Sequence, residues 1–316
     1  MDLSASAPSA HIDSFCRDHL PAGDDWPELV FDLPELHYPK RLNCAVELVD
    51  AVAHRLGPDR PCLLSPTGER WTYGQLAART NQIAHVLVAD HGIVAGNRVL
   101  LRGPNNPWLA ACLLAVIKAG AVPVPTMPLL RSGELVTVAA IARLDLALCD
   151  HRFLADLHGA GIAGLPIVAF GGSQPDDLVA VAASKPTEFD SVQTAADDVA
   201  LLAFTSGTTG RPKASMHFHR DLLAIADTFS AKLVRPTPDD VFTGSPPLAF
   251  TFGLGGLLIF PLRAGAATLL VEKAMPAELA DLIAEHRVTI CYTAPTAYRA
   301  VLAAGKAAQL RTLRRA

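Results

Sequence analysis

The chain has 316 residues, half of them apolar and 18% charged, enough apolar material for one large core or two ordinary ones. With 27 basic against 31 acidic side chains its net charge is −4 and its pI about 6.2, which excludes the basic footprint of a nucleic-acid or anionic-membrane binder. The six cysteines (Cys16, Cys44, Cys62, Cys112, Cys149 and Cys291) form no C-x-x-C pair, which excludes a disulfide frame or zinc site and fits buried thiols in a reducing cytosol.

The opening MDLSASAPSAHIDSF has neither a basic start nor an apolar core, so no secretory signal is expected and the assigned location is cytoplasmic. Residues 1–42, rich in Pro, Asp and His and without periodicity, are expected to form an extended arm over the domain. A helix follows from Asn43 as N-cap to about Arg55. Pro61 to Ser65 is a strand, Pro66-Thr67-Gly68 a turn and Arg70-Trp71 the return. Thr72 and Gln75 make a capping box that opens a helix to about Asp90, closed near Gly92.

Strands are expected at Arg98 to Leu101, Val122 to Pro125, Leu146 to Cys149 and Pro166 to Phe170. Helices separate them: one capped by Asn106-Pro107 and ending at Ala119, one over Ser132 to Arg143, one over Asp150 to Leu157. Asn105 and Asn106 both read as caps, and Asp197-Asp198 as a solvated turn at the end of the polar stretch 171–198. Then come a strand at Val199 to Phe204, another at Ala214 to His217, and a helix over His219 to Leu233. The uncharged run Val241 to Leu262 is broken by Pro246-Pro247 and by glycines, so it reads as buried rather than membrane-spanning. Strands at Asp240 to Thr243 and Ala267 to Val271 flank a Gly-rich helix beginning near Phe252. A helix (Pro276 to His286), a strand (Val288 to Tyr292) and a helix (Pro295 to Ala304) close the chain.

Short apolar strands alternating with helices predict an α/β fold with two βαβ-type subdomains and mostly parallel sheets. The boundaries are 1–42 for the arm, 43–180 for the first subdomain, and 181–316 for a second, incomplete one carrying a candidate phosphate loop at 205–213.

That loop is the most informative stretch. Thr205, Ser206, Gly207, Thr208, Thr209 and Gly210 cannot build a core, but they can present backbone N–H groups and hydroxyls to an anion. The glycines permit close approach of phosphate oxygens, and Lys213 adds a mobile ammonium. A Walker loop needs G-x-x-x-x-G-K-[ST]. Here Gly207 and Gly210 are three apart and Ala214 follows Lys213, so the Walker class is excluded. The bland alternative is a Ser/Thr/Gly linker. His217 and His219 suggest an H-x-H pair, yet without a third ligand nearby they read as structural, and no metal site is assigned.

FTSGTTGRPK resembles the phosphate-binding signature of the acyl-adenylate-forming superfamily, with Ala214 standing where most members carry glycine. The segments FDLPELHYPKRLNCAVELVD, NRVLLRGPNNPWLAACLLAVIKAGAV and DDVFTGSPPLAFTFGLGGLLIFPL resemble the benzoate-type acid–CoA ligases, most of all those acting on 2-aminobenzoate. The resemblance implies the front part of an AMP-forming ligase, with ATP, Mg2+ and CoA as the intact enzyme's cofactor and co-substrates. It also implies an aromatic carboxylate as substrate, no nucleic-acid or membrane partner, and a possible homodimer of the intact enzyme. Matched by position, Thr205 to Gly210 and Lys213 would hold the phosphates, with Lys213 catalytic. Phe250 would gate the acid pocket and Thr251, Phe252 and Gly253 would line it. By residue type alone Phe250 and Phe252 read as core; their place in the motif reverses that.

Members of the family continue into a Y-G-[ST]-[ST]-E segment and a C-terminal domain that do not occur in these 316 residues, so the chain as given is expected not to complete thioester formation. The alternatives are a non-catalytic nucleotide-binding or interaction module on the same fold, and a dinucleotide-dependent oxidoreductase. The last needs a G-x-G-x-x-G after an early strand, and none is present.

Overall fold

The computed structural model describes residues 7–205 and 212–316. Its strands are β1 (Pro61–Leu64), β2 (Arg70–Thr72), β3 (Arg98–Arg102), β4 (Val122–Thr126), β5 (Leu146–Asp150), β6 (Ile167–Phe170), β7 (Val199–Thr205), β8 (Lys213–Phe218), β9 (Val241–Gly244), β10 (Ala267–Leu269) and β11 (Ile290–Tyr292).

Strands β4, β3, β5 and β6 pair in that order, all parallel. Every residue of β3, β4 and β5 is buried, polar strand ends included, as expected of parallel strands covered on both faces. The helix Pro107–Lys118 packs on β3 and β4. Asn106 caps it by accepting the Leu109 N–H at 2.9 Å, and Pro107 opens it. All of its residues but Trp108 are buried, Lys118 included, whose ammonium donates to Asp50 and Asn81, both at 2.7 Å. Such a pairing is what allows a cation to sit in a core.

The second sheet runs β11-β9-β10-β1-β2, parallel except for the β1–β2 hairpin at its edge. The chain therefore enters this sheet at 61–72, leaves to build the four-stranded sheet, and returns at 241–292. The sheets do not follow the expected division at 180/181. A strand's apolar pattern marks it as buried but carries nothing about its partner, which the packing of distant segments decides.

The third sheet is the antiparallel hairpin β7–β8, with β7 also lying beside β4. The seven residues that separate the two strands are too few for a parallel crossover, which needs a dozen residues or more. The helix expected from Asn43 to Arg55 is two pieces, Cys44–Leu48 and Asp50–Leu56, broken at Val49. The polar stretch 171–198 contains a short helix, Leu178–Ala182, capped by Asp177. Asp198 is not solvated: it is buried and accepts hydrogen bonds from the Ala10 and Ala195 N–H groups at 2.9 and 2.8 Å. A short helix, Phe15–Asp18, lies in the arm, and Trp26 stacks on Phe218 of β8 with centroids 5.7 Å apart.

Candidate active site

The antiparallel register of β7 and β8 brings Thr205 opposite Lys213, so the two ends of the candidate phosphate loop stand side by side at one end of the hairpin. Both side chains are exposed there. Ser206, Gly207, Thr208, Thr209 and Gly210 lie outside the described residues. The other end of the hairpin is anchored. Phe218 is buried against Trp26, and His219 accepts the Cys44 N–H at 3.2 Å on Nδ1. Burial, with the nearby His11, pushes the pKa of His219 down to about 3 against the pull of Asp198, so the ring is neutral at pH 7.

The segment carrying Phe250 leaves β9 at Gly244 and enters a continuous helical stretch, 251–264, at Thr251. Asn105 holds this segment. Its carboxamide donates to the Pro246 carbonyl at 2.9 Å and accepts from the Leu248 N–H at 2.8 Å. Asn105 is thus no helix cap; Asn106 takes that role, and one helix has room for one cap. The pair of asparagines in GPNNP was the signal that one of them had another task.

Phe250 and Phe252 are 42% and 53% exposed, so neither is a core residue. Gly253 is buried where a Cβ would sit 2.1 Å from the Pro247 carbonyl oxygen, and its missing side chain makes room for this chain's own backbone. Gly256 does the same for Tyr292, whose Cγ would lie 2.7 Å from a Cβ there. Tyr292 ends β11 and meets Phe252 edge-on with centroids 5.8 Å apart. Sequence reasoning missed Tyr292 because nothing local connects it to the 251–264 helix. Burial raises its phenol to about 12, and its buried hydroxyl has no partner among the described residues.

A cavity of about 580 Å³ joins these parts. Thr205 and Pro212 reach it from the hairpin, Phe250 from the segment after β9, and Thr126, Met127 and Leu130 from the end of β4. Thr205, Pro212 and Phe250 therefore open on one space, of a size suited to a small ligand, while Lys213, Thr251, Phe252 and Gly253 are not among its lining residues. Among the described residues no group of three or more His, Cys, Asp or Glu is placed to hold a metal ion, so no Mg2+ ligand is assigned. Nor is any described helix long and apolar enough to cross a membrane.

Comparison with known proteins gives consistent results. A benzoate–CoA ligase from Thauera aromatica is 30% identical over 277 residues, covering 85% of this chain and 52% of the relative. A 3-hydroxybenzoate–CoA/4-hydroxybenzoate–CoA ligase from the same organism is 32% identical over 292 residues, covering 89% and 55%. Among solved structures, an anthranilate CoA ligase in complex with anthranoyl-AMP superposes with a TM-score of 0.82 at 26% identity, covering 89% of this chain and 56% of that one. The chain spans about half the length of the relatives it matches. The α/β architecture with mostly parallel sheets is that of the N-terminal part of adenylate-forming enzymes. The model of the AMP-binding enzyme family matches residues 49–316, and the chain belongs to that family.

Proposed function

We propose that the chain is the front portion of an AMP-forming aromatic acid–CoA ligase, with 2-aminobenzoate (anthranilate) as its acid. The observation that carries this reading is the shared cavity of Thr205, Pro212 and Phe250. The names of the matched relatives, which act on benzoate, hydroxybenzoates and anthranilate, support the acid class. In the reaction the acid's carboxylate oxygen attacks the α-phosphorus of ATP, pyrophosphate leaves, and the thiol of CoA then displaces AMP from the acyl-adenylate. Adenylate formation asks the protein mainly for alignment and charge stabilisation. Loop residues Thr205 to Gly210 hold the β- and γ-phosphates, and the Lys213 ammonium follows the charge that develops as pyrophosphate departs. Phe250 gates the acid side, with Thr251, Phe252 and Gly253 beside it. Thioester formation requires groups beyond these 316 residues, Mg2+ accompanies ATP, and the intact enzyme is a cytoplasmic protein able to form a homodimer.

The test is ATP binding by the purified chain and by Lys213→Ala. Losing one charge-assisted contact to phosphate weakens binding by roughly tenfold or more. Equal affinity of the two proteins removes Lys213 from the site. Release of 2-aminobenzoyl-CoA by the unmodified 316-residue chain overturns the claim that it stops short of the thioester.

A further inference from the structure

We propose that Arg102 is a positioning residue for this cavity: its buried guanidinium fixes the backbone of the wall formed by Met127 and Leu130, and so sets the affinity for the acid without touching it. The inference rests on the reading that the cavity receives the carboxylate substrate.

Arg102 ends β3 and is fully buried. Its partners are main-chain carbonyls. Nε donates to Phe153 at 3.2 Å, Nη1 to Met127 at 2.8 Å, and Nη2 to Pro128 at 2.8 Å and Leu130 at 2.9 Å. The nearest carboxylate, Asp156, is 3.6 Å away and also lies 3.3 Å from the exposed Arg131. Asp156 balances the charge at the outer edge of ion-pair range, while all four hydrogen bonds of the guanidinium go to main-chain carbonyls.

The carbonyls it gathers at 127, 128 and 130 belong to a stretch without regular structure between β4 and the helix Ser132–Ala142. Among the described residues that stretch has one backbone bond of its own, from the Leu130 N–H to the Met127 carbonyl at 3.2 Å. Its side chains nonetheless form part of the cavity lined by Phe250 and Thr205. One planar fork with five donors can hold several carbonyls in fixed directions. An ammonium has three donors and no plane, so lysine can keep the charge but not this geometry. A wall held this way stays in place while the ligand-facing side chains remain free to meet the acid.

The decisive experiment measures two affinities on each folded protein, for 2-aminobenzoate (by its own fluorescence) and for ATP. For Arg102→Lys the acid's Kd rises by roughly tenfold while that of ATP moves by less than about twofold. Leu130→Ala, which alters the wall itself and leaves Arg102 in place, shows the same selective loss and carries the test if Arg102→Lys fails to fold. Acid affinity within about twofold of the parent in a folded variant overturns the proposal, as does parallel weakening of both ligands, the mark of general loosening. Failure of the parent chain to bind either 2-aminobenzoate or benzoate defeats the reading of the cavity, and this inference with it. Binding by the parent with an unmoved Arg102→Lys defeats the inference alone.

Discussion

Replacing Asn105 by alanine tests whether the segment that carries Phe250 is held by one side chain from the other sheet. Asn105 is 5% exposed, and Leu248, whose N–H it accepts, is 1% exposed. Truncation leaves that N–H without a partner in a dry site, at a cost of about 1–3 kcal/mol, and removes the bond to the Pro246 carbonyl, about 1 kcal/mol more. The expected loss is about 2–4 kcal/mol, read as a lower urea midpoint at unchanged slope. Asn105→Asp separates the two bonds. A carboxylate can still accept from Leu248 but sets a negative oxygen against the Pro246 carbonyl, so this variant recovers stability as pH falls and the carboxyl becomes a donor. Under the proposed function, affinity for the aromatic acid drops in Asn105→Ala because the segment carrying Phe250 loses its anchor. A stability change below about 0.5 kcal/mol, the ordinary range for surface substitutions, refutes the reasoning.

Two further outcomes follow from packing and from protonation. Gly256→Ala forces a methyl group to within 2.7 to 3.0 Å of the Tyr292 ring, which Phe242, Phe252 and Phe260 surround, so an overpacking loss of about 1–3 kcal/mol is expected. Combining it with Tyr292→Leu relieves the clash, and strictly additive effects of the two changes would show that the ring is not what excludes the methyl. His219 titrates at about 3 in the folded chain against its ordinary 6.5, so the unfolded chain binds the extra proton between those values. Stability is therefore present above pH 6.5 and is lost as pH falls toward 3, by up to about 1.4 kcal/mol per pH unit. His219→Gln removes this slope; an unchanged slope in the variant assigns the acid sensitivity to other groups.

The local features were legible because their partners lie within a turn of helix. Asn43 caps the helix after it, Thr72 and Gln75 form the expected box, and Asn106 with Pro107 opens the central helix. The two strands that flank the Thr/Ser/Gly run were legible for the same reason. Asn105 was not, since its partners lie 141 and 143 residues away. The burial of Asp198 under the N-terminal arm depends on Ala10, 188 residues distant. The close approach of Gly253 to the Pro247 carbonyl was not legible either, a contact visible only once the segment has folded back on itself.

By itself the amino-acid order determined most segments that are helix and strand and that the strands are buried, because periodicity and caps act over a few residues. Tertiary structure alone decided that β1 and β2 join strands lying some two hundred residues later, that β7 and β8 are antiparallel, and that Thr205, Pro212, Phe250 and the Met127–Leu130 wall share one cavity. Those relations rest on hydrogen bonds and burial between segments far apart in the chain, and no local pattern records which distant surface a buried strand or a charged strand end will meet.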